Sequence, residues 1–230
     1  MLGDLWSFQG RYRTLHLTWI AFFLTFVVWF NLAPLATTVK ADLGLTVGQI
    51  RTVAICNVAL TIPARVLIGM LLDKFGPRIT YSSILVFSAI PCLLFASAQD
   101  FNQLVVARLL LSIVGAGFVI GIRMVAEWFP PKEIGLAEGI YGGWGNFGSA
   151  FSALTMVALA GFLSFSGGFE LPTGAVLNWR GAIALTGIVS AVYGLFYFFN
   201  VTDTPPGKTY QRPEKTAGLE VTSMRDFWGL

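Results

Sequence analysis

Six long apolar runs, each about the length needed to cross a bilayer, constrain this chain more than any other feature of its sequence. An α-helix needs about 20 apolar residues to span a hydrocarbon core of about 30 Å. Six such helices with short loops use up most of the 230 residues and leave no room for a soluble domain. Charged residues make up only 12% of the chain, whereas a soluble domain carries about 25%. The sequence therefore predicts an all-α membrane protein.

Polar and helix-breaking segments set the predicted ends of the helices. The breaks fall at LLDKFGPR, ASAQDFNQ, WFPPKEIG and the Gly- and Ser-rich stretch SFSGGFELPTGAVLN. The six predicted transmembrane helices are 15–38, 47–72, 79–98, 102–128, 134–163 and 180–200. Because the first apolar run is too long for a signal peptide, we expect helix one to stay in the membrane. The predicted organisation is a polar N-terminus over 1–14, a six-helix bundle over 15–200 and a proline-containing linker over 201–230.

The distribution of Lys and Arg between alternate loops predicts the orientation of the bundle. If the N-terminus is cytoplasmic, the inside loops hold Arg11, Arg13, Lys74, Arg78, Lys132, Lys208, Arg212, Lys215 and Arg225. The outside loops then hold only Lys40, Arg51 and Arg180. This bias follows the positive-inside rule and predicts a multi-pass protein of the cell (inner) membrane with N-terminus and linker in the cytoplasm. The net charge of +3 comes from these loops and does not indicate a nucleic-acid partner.

Arg65 is predicted near the centre of helix two, where a charge is costly. It lies 11 residues before Gly76, the loop glycine, and 11 helical residues extend about 16 Å, half of the hydrocarbon core. A charge at that depth costs from about 3 to over 10 kcal/mol unless a cavity or counter-charge compensates it. The acidic residues Glu127 and Glu138 are predicted nearer to the cytoplasmic face. Arg65 is therefore a candidate ligand for a mobile anion; pairing with a group outside this chain and snorkelling to an interface are the alternatives.

Helix five has a glycine-rich stretch, GLAEGIYGGWGNFGSAF, with Asn146 predicted about 16 Å from its cytoplasmic end. The amide of Asn146 is a candidate donor to the anion. Phe118 on helix four is predicted at a matching depth and is a candidate to cover a flat anion. Glycines let a neighbouring helix or a ligand approach the backbone, and the candidates are Gly142, Gly143 and Gly145. Ordinary packing between helices remains the alternative for all of these residues.

Charged residues also gather near the predicted cytoplasmic ends of helices two to four. Arg123 and Glu127 are four residues apart and face the same way on helix four. With Asp73, Lys74 and Arg78 they predict a charge cluster that holds one conformation of the bundle; solvated loop charges are the alternative. We expect Arg108, near the outer end of helix four, to be structural.

Two segments resemble a known family. GMLLDKFGPR, residues 69–78, resembles the loop G-x-x-x-D-[RK]-x-G-x-[RK] of the major facilitator superfamily, with matches at Gly69, Asp73, Lys74, Gly76 and Arg78. Residues 126–150 resemble the signature stretch of its nitrate/nitrite porter family, with the G-G-x-G-N-x-G core at Gly142, Gly143, Gly145, Asn146 and Gly148. GDLWSFQGRYRTLHLTW and ICNVALTIPAR are most similar to nitrate permeases of photosynthetic bacteria.

The resemblance covers essentially the whole chain and implies the N-terminal half of a twelve-helix fold, built from two inverted three-helix repeats. It implies that Arg65 and Phe118 occupy the family's substrate positions on helices two and four. A second substrate arginine belongs to the C-terminal half. Ser112 departs from the family's glycine four residues after Arg108.

The implied function is secondary active import of nitrate, and also nitrite, by proton symport with alternating access. Arg65 would grip the anion with paired hydrogen bonds, Asn146 would orient it, and Phe118 would cover its face. The implied partners are the bilayer and a complementary C-terminal half or a second copy. No cofactor, metal site or catalytic set is predicted, so we expect no enzyme. A carrier of small organic anions, a non-transporting fragment and a six-helix anion channel remain alternatives, although no paired helix interruptions of the kind that line channels are predicted.

Overall fold

The computed structural model describes residues 7–210 of the chain. Within this range, six helices are long and apolar enough to cross a membrane, and they are called spans 1 to 6 in chain order: Gly10–Asp42, Val47–Phe75, Pro77–Ser97, Phe101–Trp128, Pro131–Ser166 and Trp179–Asn200. The six predicted helices are confirmed. Arg212, Lys215 and Arg225, and the predicted linker beyond residue 210, lie outside the described residues.

Span 1 begins earlier than predicted, at Gly10 rather than at residue 15. Its first turn is stabilised by tertiary contacts that a hydropathy pattern does not show. Arg11 forms an ion pair with Glu133 at the start of span 5 (2.9 Å), and the ring of Tyr12 packs against Phe129 at 5.8 Å. Part of the predicted polar N-terminus is therefore helical.

Spans 1 to 4 are interrupted, whereas continuous helices were predicted. In spans 2 and 3 the interruptions at Leu60 and Ser88 each precede a proline by three residues, Pro63 and Pro91, and proline removes one backbone hydrogen bond of the preceding turn. The α-helical segments are Gly10–Phe30, Ala36–Asp42, Val47–Ala59, Thr61–Phe75, Pro77–Phe87, Ala89–Ser97, Phe101–Ser112, Gly117–Trp128, Pro131–Phe162 and Trp179–Asn200. The 3-10 turns are Ala33–Leu35, Ile113–Ala116 and Leu163–Ser166.

A small hairpin in the loop between spans 5 and 6 is the one described departure from an all-helical chain. Strand β1, Phe169–Glu170, pairs antiparallel with strand β2, Val176–Leu177. Gly174 in the connecting turn has a φ of +80°, a conformation that glycine adopts without strain. Strands of two residues are too short for an alternating pattern to reveal them in the sequence.

Close contact between backbones packs span 5 against span 1. A Cβ atom on Gly145 would overlap the ring of Phe22, and one on Gly148 would overlap the carbonyl group of Phe23. Glycine at these two positions lets the helices approach more closely than larger residues allow. Span 6 packs along span 3.

Burial differs strongly among the spans. In the most apolar windows of spans 2 and 5, only 22% of the residues are buried, compared with 56% in spans 3 and 4. A helix without a buried face is stable in a bilayer only against lipid or another polypeptide. Spans 2 and 5 therefore present the largest free surfaces of the chain described here.

Candidate functional site

Two hydrogen bonds set the register of span 2 against span 4. The backbone nitrogen of Leu60 donates to Ser112 Oγ (3.2 Å), and Thr61 Oγ1 donates to the carbonyl oxygen of Ser112 (3.1 Å). The two halves of span 2 contact the corresponding halves of span 4, so the spans run in the same direction. Arg65 lies four residues beyond Thr61, and Phe118 lies six residues beyond Ser112. Both residues therefore lie at similar depth.

Phe22 on span 1 joins Phe118 to span 5. Its ring centroid lies 5.3 Å from that of Phe118, and the same ring fills the space beside Gly145. Tyr141 stacks on Phe118 at 6.1 Å and donates to the Phe118 carbonyl oxygen (3.0 Å). Phe118 is thus half-buried in an aromatic cluster, at the level of the residue that precedes Asn146.

Arg65 is exposed on span 2. Across residues 7–210 its guanidinium group makes no ion pair or hydrogen bond. Its role as an anion ligand stays a prediction.

Asn146 is also exposed, and its amide nitrogen donates to the carbonyl oxygen of Gly142 one turn earlier (2.7 Å). A primary amide has two N–H groups, so one remains for a ligand. Gly142 and Gly143 have open space where a Cβ would lie, whereas Gly145 contacts span 1. The glycine-rich stretch thus presents two different faces, of which only one packs inside this chain. Within the described residues, Arg65 and Asn146 do not contact each other.

The predicted cytoplasmic charge cluster is not one ion-pair network. Arg123 and Glu127 form the predicted pair, at 2.9 Å. Arg78 instead places its guanidinium group 4.8 Å from the ring of Phe198 on span 6. Asp73 and Lys74 are exposed, and Gly69 has open space where a Cβ would lie; in the described structure neither charged residue forms an ion pair. Their role in conformational change stays a prediction.

Asp203, in the segment predicted as a linker, was missed by the sequence-based reasoning. Its carboxylate accepts a hydrogen bond from the backbone nitrogen of Arg78 (2.7 Å) in the first turn of span 3. This contact satisfies one of the free N–H groups that every helix start exposes. Gly76, with a φ of +82°, precedes that turn, and a Cβ there would lie 2.7 Å from Asp203 Oδ1. The close approach explains a glycine at position 76.

Tyr210 lies in the same segment and was also missed by the sequence-based reasoning. Its hydroxyl group donates to the carbonyl oxygen of Leu72 at the end of span 2 (3.1 Å), and its ring lies 5.7 Å from the Arg123 guanidinium carbon. Burial raises the pKa of Tyr210 above its ordinary value, and the charge of Arg123 partly opposes this effect. The hydroxyl therefore stays protonated near neutral pH. Trp128 donates to the carbonyl oxygen of Thr202 (3.1 Å), so segment 201–210 connects the ends of spans 2, 3 and 4.

Arg108 is the centre of a second polar group, at the opposite half of span 4. It is fully buried and donates to Asn31 Oδ1 (3.0 Å) and to the carbonyl oxygen of Trp29 (2.8 Å). Asn31 in turn donates to Thr186 Oγ1 on span 6 (3.1 Å). Uncharged groups hold this cation and connect spans 1, 4 and 6.

The arrangement of the six spans matches one half of a known transporter fold. A crystal structure of a bacterial homolog of the human lysosomal transporter Spinster, inward-facing and unoccupied, superimposes with a TM-score of 0.70 at 20% identity, covering 95% of this chain and 48% of that one. The inward-facing, occupied form of the same homolog superimposes with a TM-score of 0.67 at 21% identity, covering 86% of this chain and 46% of that one. At this identity the match shows the fold alone: a six-helix half of a larger helical fold.

The family model described as Major Facilitator Superfamily matches residues 18–230. This chain belongs to the major facilitator superfamily, as its loop motif and helix-five signature predicted. The nitrate/nitrite transporter NrtP of Picosynechococcus sp. is 62% identical, covering 100% of this chain and 46% of that protein. The nitrate/nitrite transporter NrtP of Nostoc punctiforme is 60% identical, covering 100% of this chain and 45% of that protein. The probable nitrate/nitrite antiporter NarK1 of Thermus thermophilus is 31% identical, covering 86% of this chain and 44% of that protein. The chain spans about half the length of these curated relatives.

Proposed function

We propose that this chain forms the N-terminal half of a secondary active transporter that imports nitrate, and also nitrite, across the cell (inner) membrane. The observation that carries the proposal is Arg65, an exposed guanidinium group in the middle of a membrane span with no carboxylate partner in residues 7–210. The names of the most similar relatives supply the substrate.

Arg65 binds the anion through its planar fork. Two parallel N–H groups donate to two oxygens of a planar oxyanion, and each bond is strengthened by charge on both partners. The bound anion also removes the cost of an uncompensated charge in the membrane. The anion thus contributes the counter-charge that the chain itself lacks.

Asn146 and Phe118 complete the half-site. The free N–H group of Asn146 donates to an oxyanion oxygen, and the ring of Phe118, held by Phe22 and Tyr141, covers the flat face of the ligand and excludes water. Gly142 and Gly143 leave the backbone of span 5 accessible beside Asn146. None of these groups is arranged for bond making or breaking, so transport without chemical conversion is proposed.

Alternating access requires a second body against which this half can move. The exposed faces of spans 2 and 5 support a complementary six-helix half as that body, and a second copy of this chain is the other candidate. Each arrangement closes the site between two halves. The bias of basic residues supports a cytoplasmic N-terminus.

A competition experiment tests the substrate. The chain, joined to the C-terminal half of the 62%-identical relative, is reconstituted into vesicles, and uptake of labelled nitrate is measured with excess nitrite, formate, acetate or chloride. We expect nitrite to compete and the carboxylates to compete weakly. Strong uptake of formate or acetate without nitrate uptake would establish the organic-anion alternative instead. Uptake at channel-like rates without coupling to any gradient would establish a channel.

A further inference from the structure

Glu138 lies on the same face of span 5 as the proposed anion ligand Asn146. Residues 138, 142 and 146 are spaced by four, so they follow one another along one side of the helix. Glu138 and Asn146 are separated by eight residues, or about 12 Å along the axis. If Asn146 is near the midplane, Glu138 is still inside the hydrocarbon core on its cytoplasmic side.

The carboxylate of Glu138 has no partner in residues 7–210. Its side chain is partly buried, and Oε1 is shielded from solvent and makes no hydrogen bond. No ion pair with Glu138 occurs in the described part of the chain. Gly142, on the same face, contributes no side chain that would satisfy the carboxylate.

The titratable groups on the elements packed around this part of span 5 have other partners. Arg11 on span 1 pairs with Glu133, and Arg123 on span 4 pairs with Glu127. His16 accepts from Trp19, and Tyr141 donates to Phe118 and lies 3.3 Å from the hydroxyl group of Tyr81 on span 3. Of the others, Arg13 donates to Asn200, the hydroxyl group of Tyr193 donates to the carbonyl oxygen of Leu17, and that of Tyr197 lies 3.1 Å from Thr18 Oγ1. An ionised carboxylate without a counter-charge is costly in such surroundings, and binding a proton removes that cost.

We propose that Glu138 is the proton-binding site of this transporter and takes up one proton with each anion bound at Arg65. The inference rests on the proposed function and adds to it the residue that binds the proton. The proton binds to a carboxylate oxygen from the outside water and leaves to the cytoplasmic water, so no covalent bond other than O–H forms or breaks.

The charges of Arg65 and Glu138 explain why proton and anion move together. With both sites empty, the guanidinium and carboxylate groups carry opposite charges and their sum is zero. With both occupied, each group is neutralised by its ligand and the sum is again zero. With only one ligand bound, a net charge remains, and closing the halves around a net charge in the membrane costs several kcal/mol. Only the empty and doubly loaded forms therefore exchange sides readily, which is the condition for symport.

The test compares proton and nitrate movement in vesicles containing the chain joined to the relative's C-terminal half. An inward nitrate gradient is applied, and lumen acidification is recorded together with nitrate entry. We expect about one proton per nitrate for the unmodified protein, and at least a tenfold lower ratio for Glu138→Gln. Glu133→Gln is the matched control, because this residue lies on the same helix but pairs with Arg11; its ratio is expected to be unchanged. An unmodified ratio in Glu138→Gln would overturn the proposal.

Nitrate counterflow separates this proposal from the proposed function. Absence of counterflow in the unmodified protein would refute nitrate transport itself. Counterflow without any lumen acidification would leave nitrate transport intact and overturn only the proton site. If Glu138→Gln shows no counterflow because it does not fold, the proposal is tested instead by measuring the nitrate affinity of the unmodified protein over a range of pH. It should tighten at least tenfold as the pH falls and Glu138 becomes protonated, and a pH-independent affinity would overturn the proposal.

Discussion

A single arginine in the middle of span 2 connects the sequence of this chain to its chemistry. Its predicted depth makes an uncompensated charge on Arg65 costly in free energy. The side chain is exposed and makes no ion pair or hydrogen bond in residues 7–210, so its guanidinium group is free to bind an anion. Glu138 on span 5 has the opposite charge and is partly buried, and its Oε1 makes no hydrogen bond in the described residues. Under the proposal above, the two charges cancel only when both residues are occupied or both are empty.

Replacing Arg65 with lysine keeps the positive charge and removes the planar guanidinium group with its two parallel N–H donors. Because a point ammonium cannot make two parallel hydrogen bonds to a planar anion, we expect at least tenfold weaker nitrate affinity in Arg65→Lys, or about 1.4 kcal/mol. Binding measurements on the joined protein check this. Arg51→Lys, at the exposed outer end of the same span, is the control. Near-normal affinity in Arg65→Lys would show that this residue is not the ligand.

Arg123 is expected to act on rate and not on binding. It pairs with Glu127 near the C-terminal end of span 4 and lies beside Tyr210, away from the level of Arg65. Arg123→Ala should therefore change the maximal uptake rate several-fold and leave the nitrate affinity nearly unchanged. Measuring uptake over a range of nitrate concentrations separates the two. A large loss of affinity would move the site toward the cytoplasm.

Among the helices, the packing of span 5 on span 1 depends on which glycine of the signature stretch is involved. Adding a methyl group at Gly145 overlaps Phe22, whereas Gly143 has open space. Gly145→Ala is therefore expected to destabilise the chain by about 1–3 kcal/mol, typical of overpacking. Gly143→Ala should leave the melting temperature unchanged. Thermal unfolding in detergent measures both, and equal melting temperatures for the two variants would contradict this packing.

Asp203 supports the start of span 3 from outside the span. Removing its carboxylate leaves the Arg78 backbone N–H without its acceptor, so Asp203→Ala should cost about 0.5–2 kcal/mol, the range for lost helix caps. Lys208→Ala, in the same segment and exposed, is the control and should have little effect. Thermal unfolding again measures both. If Asp203→Ala were as stable as the control, the contact would contribute nothing to the span.

The proline positions show what local reasoning captured about the helices and what it did not. The length of an apolar run is a local property of the chain, so the hydropathy pattern alone predicted six helices long enough to span a bilayer. Pro63 and Pro91 are equally local, yet the interruptions before them were not predicted, because prolines are common inside membrane helices and not every one interrupts its helix. The contact of Leu60 with Ser112 Oγ shows how another span takes up a freed backbone group.

For the protein as assembled, the exposed faces of spans 2 and 5 predict that this chain does not accumulate nitrate alone. Concentrative uptake should be absent from vesicles holding only this chain and present when a C-terminal half is joined to it, because alternating access needs two opposed halves. Radiolabelled nitrate uptake in both preparations checks this. Accumulation by the chain alone would indicate that two copies form the site, and cross-linking would then detect the dimer.

The residues proposed for the site were predicted from two local signals, depth along a helix and residue type. Arg65, Phe118 and Asn146 needed only the position of the nearest polar loop. Asp203 and Tyr210 had no such signal, because they lie in a segment without helical periodicity and act on spans that precede them by more than 100 residues. Glu138 was predicted nearer to the cytoplasmic face and was not a candidate from the sequence; that its Oε1 has no partner in the described residues became visible only when the neighbouring side chains were in place.

The sequence alone determined that the chain has six helices long and apolar enough to cross a membrane and which superfamily its loop motif indicates, and it predicted a cation at mid-depth. Each of these depends on interactions of a segment with lipid or on spacing within one helix, and both are local. The tertiary structure decided which face of span 5 packs, which acid stays unpaired and which residues fasten the ends of the spans. Those outcomes depend on contacts between distant segments, whose geometry a periodic pattern does not contain.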